Sequence, residues 1–145
     1  MARELEASVT LREGMAFSAI SGSGHEIILD TRRDDGGQDL GPSPMELLLM
    51  GTAGCTAMDV ISILRKKRQD VTAYQVLIHG TRAETYPRVF TDITIEHIVT
   101  GHQVSEAAVL HAIDLSVQKY CGAYATMSKT ARITVTHRIL QAQNG

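Results

Sequence analysis

The chain has 145 residues, 43% of them hydrophobic and 21% charged, a composition that supports one sizeable core and is too apolar for a disordered chain. A formal net charge of -2, no tryptophan and only two phenylalanines provide little attraction or stacking for a phosphate backbone, so nucleic acid is not an expected partner. The N-terminal MARELEASVTLREG lacks the apolar core of a signal peptide, and the longest apolar run, Leu47 to Met50, is short for a membrane span. A single cytoplasmic domain over residues 1–145, with no membrane contact, is the expectation.

In chain order, Leu5 to about Asp30 reads as a β-meander broken at Glu13-Gly14 and Ser23-Gly24. Residues 31–41, TRRDDGGQDLG, carry charge, paired glycines and no periodicity, which predicts a flexible surface loop. Ser43-Pro44 then starts a helix, with serine as N-cap and proline at the first helical position. That helix runs to about Arg68. Its first part, MELLLMGTAGCTAM, is apolar or small on almost every side, so its front is expected to be buried all round, with a second subunit supplying part of the wall.

Strands follow at Val71 to Gly80 and Arg88 to Thr100, the latter with Val89, Thr91, Ile93, Ile95, His97 and Val99 on one face. A second helix, capped by Ser105, extends to about Lys119 with a narrow polar strip of His111, Asp114 and Gln118. After a break at Gly122 comes a last strand, Ala131 to Ile139. The order βββ-α-ββ-α-β lacks regular βα alternation and predicts an α+β fold.

The two cysteines, Cys55 and Cys121, form neither a disulfide framework nor a Cys-x-x-Cys metal pair. At about 100° per residue, Gly51, Leu48, Thr52, Asp59 and Ser62 share the side of the first helix that carries Cys55. That face is small and partly polar, and Gly51, one turn earlier, leaves space over the sulfur. The middle of a helix does little to lower a thiol pKa, and Asp59 at i+4 disfavours a thiolate unless a cation bridges the two. Cys121, before Gly122, sits at a break in regular structure. As far as the residues themselves go, the pair is either two small buried hydrophobes or a redox couple.

The block GPSPMELLLMGTAGCTAMDVISIL, followed by DLSVQKYCGAYATMSKTARITVTH with its cysteine 66 positions after the first, resembles the OsmC/Ohr superfamily of organic hydroperoxide reductases, most closely its YhfA-like branch. The resemblance covers about Val9 to Ile139. It implies an OsmC-like α+β fold in which antiparallel sheets wrap two long central helices in an intertwined homodimer with active sites at the subunit interface. It also implies a thiol peroxidase of oxidative-stress defence that needs no metal or bound organic cofactor. Cys55 is then the peroxidatic cysteine and Cys121 the resolving one. The substrate is an alkyl or lipid hydroperoxide, and a dithiol such as a lipoyl or thioredoxin-like protein is the reductant. A non-enzymatic protein of the same fold, sensing redox state or binding a hydrophobic ligand, is the alternative.

The family's catalytic arginine, in the first turn of its meander, maps to Arg12. Its catalytic glutamate lies ten residues before the cysteine, a position held here by Met45; Glu46, nine before, is the adjacent carboxylate and is turned about 900°, half a circle, from Cys55 in a straight helix. Arg32 and Arg33 in the loop are read as solvated, with a role as thiolate partner second to Arg12. His25, His79, His97, His102, His111 and His137 show no metal-site spacing and read as surface or strand residues, His111 on the helical polar strip being the candidate exception.

Overall fold

The computed structural model describes residues 2–144. They form two compact units, one ending at Leu48 and the other beginning at Leu49.

The first unit contains the meander: β1 (Ala7–Leu11), β2 (Phe17–Ser21) and β3 (Glu26–Leu29), paired antiparallel in that order. Its turns fall at the expected breakers, and Gly14 and Gly24 take the positive φ values, 62° and 92°, that glycine adopts without steric cost. The register aligns Val9 with Ala19 and Ile27, and Leu11 with Phe17 and Leu29. These six residues share one face. Val9, Leu11 and Ile27 on it are 57%, 59% and 46% exposed, so the chain leaves that apolar face largely uncovered.

The loop after β3 is more organised than its composition predicts. Buried Asp30 accepts backbone N–H bonds from Thr31 at 2.7 Å and from Gln38 and Leu40 at 3.2 Å. These donors, Thr31 foremost, hold its carboxyl below the usual range against the opposing effect of burial. A 3-10 turn at Arg33–Asp35 completes the loop. One carboxylate thus gathers its two ends, a device that periodicity does not register.

Helix α1 (Pro44–Lys66) begins with a capping box: Ser43 N–H donates to Glu46 Oε1 at 3.0 Å, and Glu46 N–H to Ser43 Oγ at 3.2 Å. It ends in a Schellman motif, with Gln69 N–H bonding Leu64 O and Arg68 N–H bonding Arg65 O, both at 3.0 Å. Arg68 has φ 58°, so the helix stops two residues short of the expected boundary. Thr52, Thr56, Val60 and Leu64, spaced by one turn, form a buried ridge. Burial on every side is not achieved by one chain, since Leu48, Met50 and Met58 are 48%, 56% and 73% exposed.

By length and composition α1 could cross a membrane, because glycine, alanine and threonine extend the short aliphatic run. Its Val60 and Leu64, however, are fully buried in a cluster with Val99, Val109, Ala112 and Ile113.

The second unit has a sheet of β4 (Asp70–Arg82), β5 (Phe90–His102) and β6 (Arg132–Gln141), with β5 central. Ile93, Ile95, His97 and Val99 form its buried face, as the alternation predicts. Antiparallel pairing holds for the first sheet and for β4–β5, but β5 and β6 run parallel. A parallel pair needs a long crossover. It is provided by α2 (Glu106–Leu115), a π turn (Ser116–Tyr120) and α3 (Gly122–Met127). Ser105 caps α2 as expected, accepting a bond from Ala108 N–H at 3.2 Å. Regular α-helix stops at Leu115 rather than continuing to Lys119.

Candidate thiol site

The second unit brings Cys55 and Cys121 together. Their sulfurs and a carboxylate oxygen of Asp59 all lie within 4.8 Å of one another. Cys55 and Asp59 come from one face of α1, four residues apart. Cys121 comes from the crossover, between the π turn and α3. The π turn ends at an extended residue, φ -82° and ψ 98°, which makes Cys121 the N-cap of α3; its Sγ accepts the Tyr124 N–H at 3.2 Å.

Cys121 is buried, whereas Cys55 is half-buried. A Cβ added at Gly51 would meet nothing within 4 Å, so there is open space one turn before Cys55. Burial pushes the Cys121 thiol up to about 11, helped by neighbouring Cys55 and Asp59 and opposed by the Tyr124 N–H. Cys121 is therefore protonated at neutral pH.

A hydroxyl chain orients the carboxylate. Ser116, fully buried, donates to Asp59 Oδ2 at 3.0 Å. A hydroxyl has one proton, so Ser116 must accept from Thr56 Oγ1, 2.8 Å away. Thr56 and Ser116 were not among the residues expected at the site; the available signal was a polar group on the apolar side of each helix, aligned with Val60 on α1 and with Val109, Ala112 and Ile113 on α2.

Arg12 and Glu46 belong to the first unit. Arg12 is exposed in the β1–β2 turn, at a cavity it shares with Glu13, Glu26 and Gln38. Glu46 is exposed and engaged in the capping box, whose Ser43 donors hold its carboxyl below the usual range, with the Arg32 charge contributing. Arg32 itself pairs with Asp35 at 3.2 Å.

His111 is exposed, and His137 Nε2 lies 3.1 Å from Glu106 Oε1. His97 is a strand residue, as expected, on the buried face of β5. It is fully buried, its Nδ1 is 2.6 Å from the Tyr74 hydroxyl, and its Nε2 has no hydrogen-bond partner among the described residues. Burial holds its pKa down at about 4, with His137 contributing, and raises that of Tyr74, with Asp59 contributing.

A model of the OsmC-like protein family matches residues 36–136. Protein YhfA of Escherichia coli strain K12 is 42% identical over 138 residues, covering 95% of this chain and all of that protein. A crystal structure of a hypothetical protein from Aquifex aeolicus VF5 superposes with a TM-score of 0.86 at 28% identity, covering 98% of this chain and 100% of that one. An organic hydroperoxide resistance protein from Elizabethkingia anophelis, 14% identical and with a TM-score of 0.69 over 98% of this chain and 99% of that one, shares the fold. The chain belongs to the OsmC-like family.

Proposed function

We propose that this OsmC-like chain is a thiol peroxidase that reduces organic hydroperoxides, with Cys55 as peroxidatic and Cys121 as resolving cysteine. The supporting observation is the pair of sulfurs on separate elements, held within 4.8 Å beside the open space at Gly51. The Cys55 thiolate attacks the distal peroxide oxygen, the O–O bond breaks, and the alcohol leaves after taking up a proton. The sulfenic acid so formed is attacked by Cys121, water departs, and a disulfide results. A dithiol, lipoyl or thioredoxin-like, then takes the disulfide back to two thiols. Hydroperoxide resistance proteins that share this fold are consistent with the reading, and the role is oxidative-stress defence in the cytoplasm.

In the same reading an arginine holds the Cys55 thiolate and a carboxylate positions that arginine. Arg12 takes the first role by its place in the chain, and Glu46, one residue beyond the position that Met45 holds, is the adjacent carboxylate for the second; Arg32, whose charge reaches Glu46, is the alternative cation. A second copy of the chain forms a homodimer by covering the apolar surface at Val9, Leu11 and Ile27 and at Met50 and Met58 on α1.

The test is consumption of cumene hydroperoxide with dithiothreitol as reductant. Turnover by the native chain, loss in Cys55→Ser, and dimedone-trappable sulfenic acid in Cys121→Ser support the proposal. Turnover no greater than that of Cys55→Ser overturns it. One observation favours a redox sensor over a fast enzyme: Asp59 stands beside both sulfurs, is in no ion pair among the described residues, and helps to hold the resolving Cys121 in its thiol form. A sensor forms one disulfide per chain and does not turn over.

A further inference from the structure

We propose that Cys55, Asp59 and Cys121 form a binding site for a thiophilic divalent cation, with zinc the best fit. Three observations on the reduced protein converge on it. The donor atoms, two sulfurs and a carboxylate oxygen, lie within 4.8 Å of one another, a spread that small side-chain rotations can gather around an ion with zinc–sulfur bonds of about 2.3 Å and zinc–oxygen bonds of about 2.0–2.2 Å.

The donors also come from elements that the fold holds independently. Cys55 and Asp59 are one turn apart on α1, and Cys121, itself buried, is the N-cap of α3, so chelation ties α1 to the end of the crossover. Further, two of the donors are already oriented by outer contacts. Ser116, steadied by Thr56, spends its single proton on Asp59 Oδ2 and leaves Oδ1 available; the Tyr124 N–H points at Cys121 Sγ and fixes its direction. Outer donors of this kind orient ligands in metal sites.

The charge pattern separates this arrangement from a plain thiol couple. Beside both sulfurs the second unit places a carboxylate. Ionised together, the three groups carry three negative charges in a partly buried space. A divalent cation inverts that repulsion, and two thiolates select zinc over magnesium or calcium. On binding, two thiol protons pass to solvent and the metal gains two Zn–S bonds and one Zn–O bond, with water completing a tetrahedral set. Nothing is oxidised, so the site does not depend on the peroxidase reading.

The probe is cobalt(II), added without oxygen to the reduced full-length protein and then displaced by zinc. Sulfur-to-cobalt charge-transfer absorption is expected to saturate at one equivalent per chain and to vanish on addition of zinc. Cys55→Ser and Cys121→Ser should each lose most of the band. Asp59→Asn, which keeps an oxygen acceptor for Ser116, should bind at least tenfold more weakly with unchanged circular dichroism. Zinc should also slow maleimide labelling of both cysteines tenfold or more. A missing charge-transfer band, or a band of native strength and affinity in Cys121→Ser, overturns the proposal, whether or not the chain consumes peroxide.

Discussion

Ser116 donates its hydroxyl proton to Asp59 Oδ2 across 3.0 Å, from the first residue of the π turn to the face of α1 that carries Cys55. The bond ties the crossover to α1 at the point where regular α-helix gives way and the chain swings Cys121 toward Cys55. Ser116→Ala leaves buried Thr56 Oγ1 and half-buried Asp59 Oδ2 without their partner. Such a loss costs about 1–3 kcal/mol, and it loosens the orientation of Asp59. Chemical denaturation is expected to show that loss, and peroxide-driven Cys55–Cys121 disulfide formation, followed by non-reducing mass analysis, is expected to slow. Native stability in Ser116→Ala would mean that water replaces the hydroxyl at no cost.

Glu46 serves the start of α1 and is also proposed to position the cation at Cys55, and substitution separates the two roles. Glutamine occupies the third position of a capping box as well as glutamate does. Glu46→Gln should therefore keep the cap and lose only the small stabilisation that the charge gives the helix start, while slowing disulfide formation. Glu46→Ala should lose about 0.5–1 kcal/mol in addition. An unchanged rate in Glu46→Gln would leave Glu46 with the cap alone.

Elements with strong local chemistry are legible in the amino-acid sequence. Ser43-Pro44 marks the start of α1, Ser105 that of α2, and the alternation through Ile93, Ile95 and Val99 the buried face of β5. Strand direction is not, because a period of two reads the same for parallel and antiparallel neighbours; the β5–β6 pairing depends on how the crossover packs. Asp30 looks like one more loop carboxylate until the N–H groups of Gln38 and Leu40 are seen to meet it. The cysteines are suggestive separately, but their proximity depends on the π turn, which shifts hydrogen bonds by one residue without altering the hydrophobic pattern. Asp59 was visible as the i+4 neighbour of Cys55, whereas Ser116 was concealed by lying where a core residue is expected.

Buried His97 makes stability fall in acid. Its pKa moves from 6.5 to about 4 in the folded chain, so below pH 6.5 the unfolded chain takes up a proton that the folded chain refuses. The contribution is fully present above pH 6.5, declines as pH falls, and is exhausted near pH 4, where the folded form also protonates. Integrated over that window it amounts to about 3 kcal/mol. Urea titrations at pH 7 and pH 4.5 should show a smaller acid loss in His97→Gln than in the native protein. Equal losses would assign the acid sensitivity to carboxylates such as Asp30, whose lowered pKa acts in the same direction at lower pH.

Arg68 occupies the position after α1 where glycine is the usual residue. Its φ of 58° is imposed by the Schellman bonds from Gln69 to Leu64 and from Arg68 to Arg65, and its side chain is exposed. A non-glycine residue pays about 1 kcal/mol for left-handed backbone, whereas glycine takes that conformation freely but has more unfolded-state entropy to lose. The conformational gain is the larger, because the geometry is fixed by two hydrogen bonds on a helix whose Leu64 is anchored in the core. Arg68→Gly is therefore expected to stabilise the protein by about 0.5–1 kcal/mol in urea denaturation, with no effect on cobalt binding at Cys55 and Cys121. Arg68→Val, β-branched and poorly suited to positive φ, should destabilise it, and the opposite order of the two variants would show that the helix end is not held in the left-handed conformation in solution.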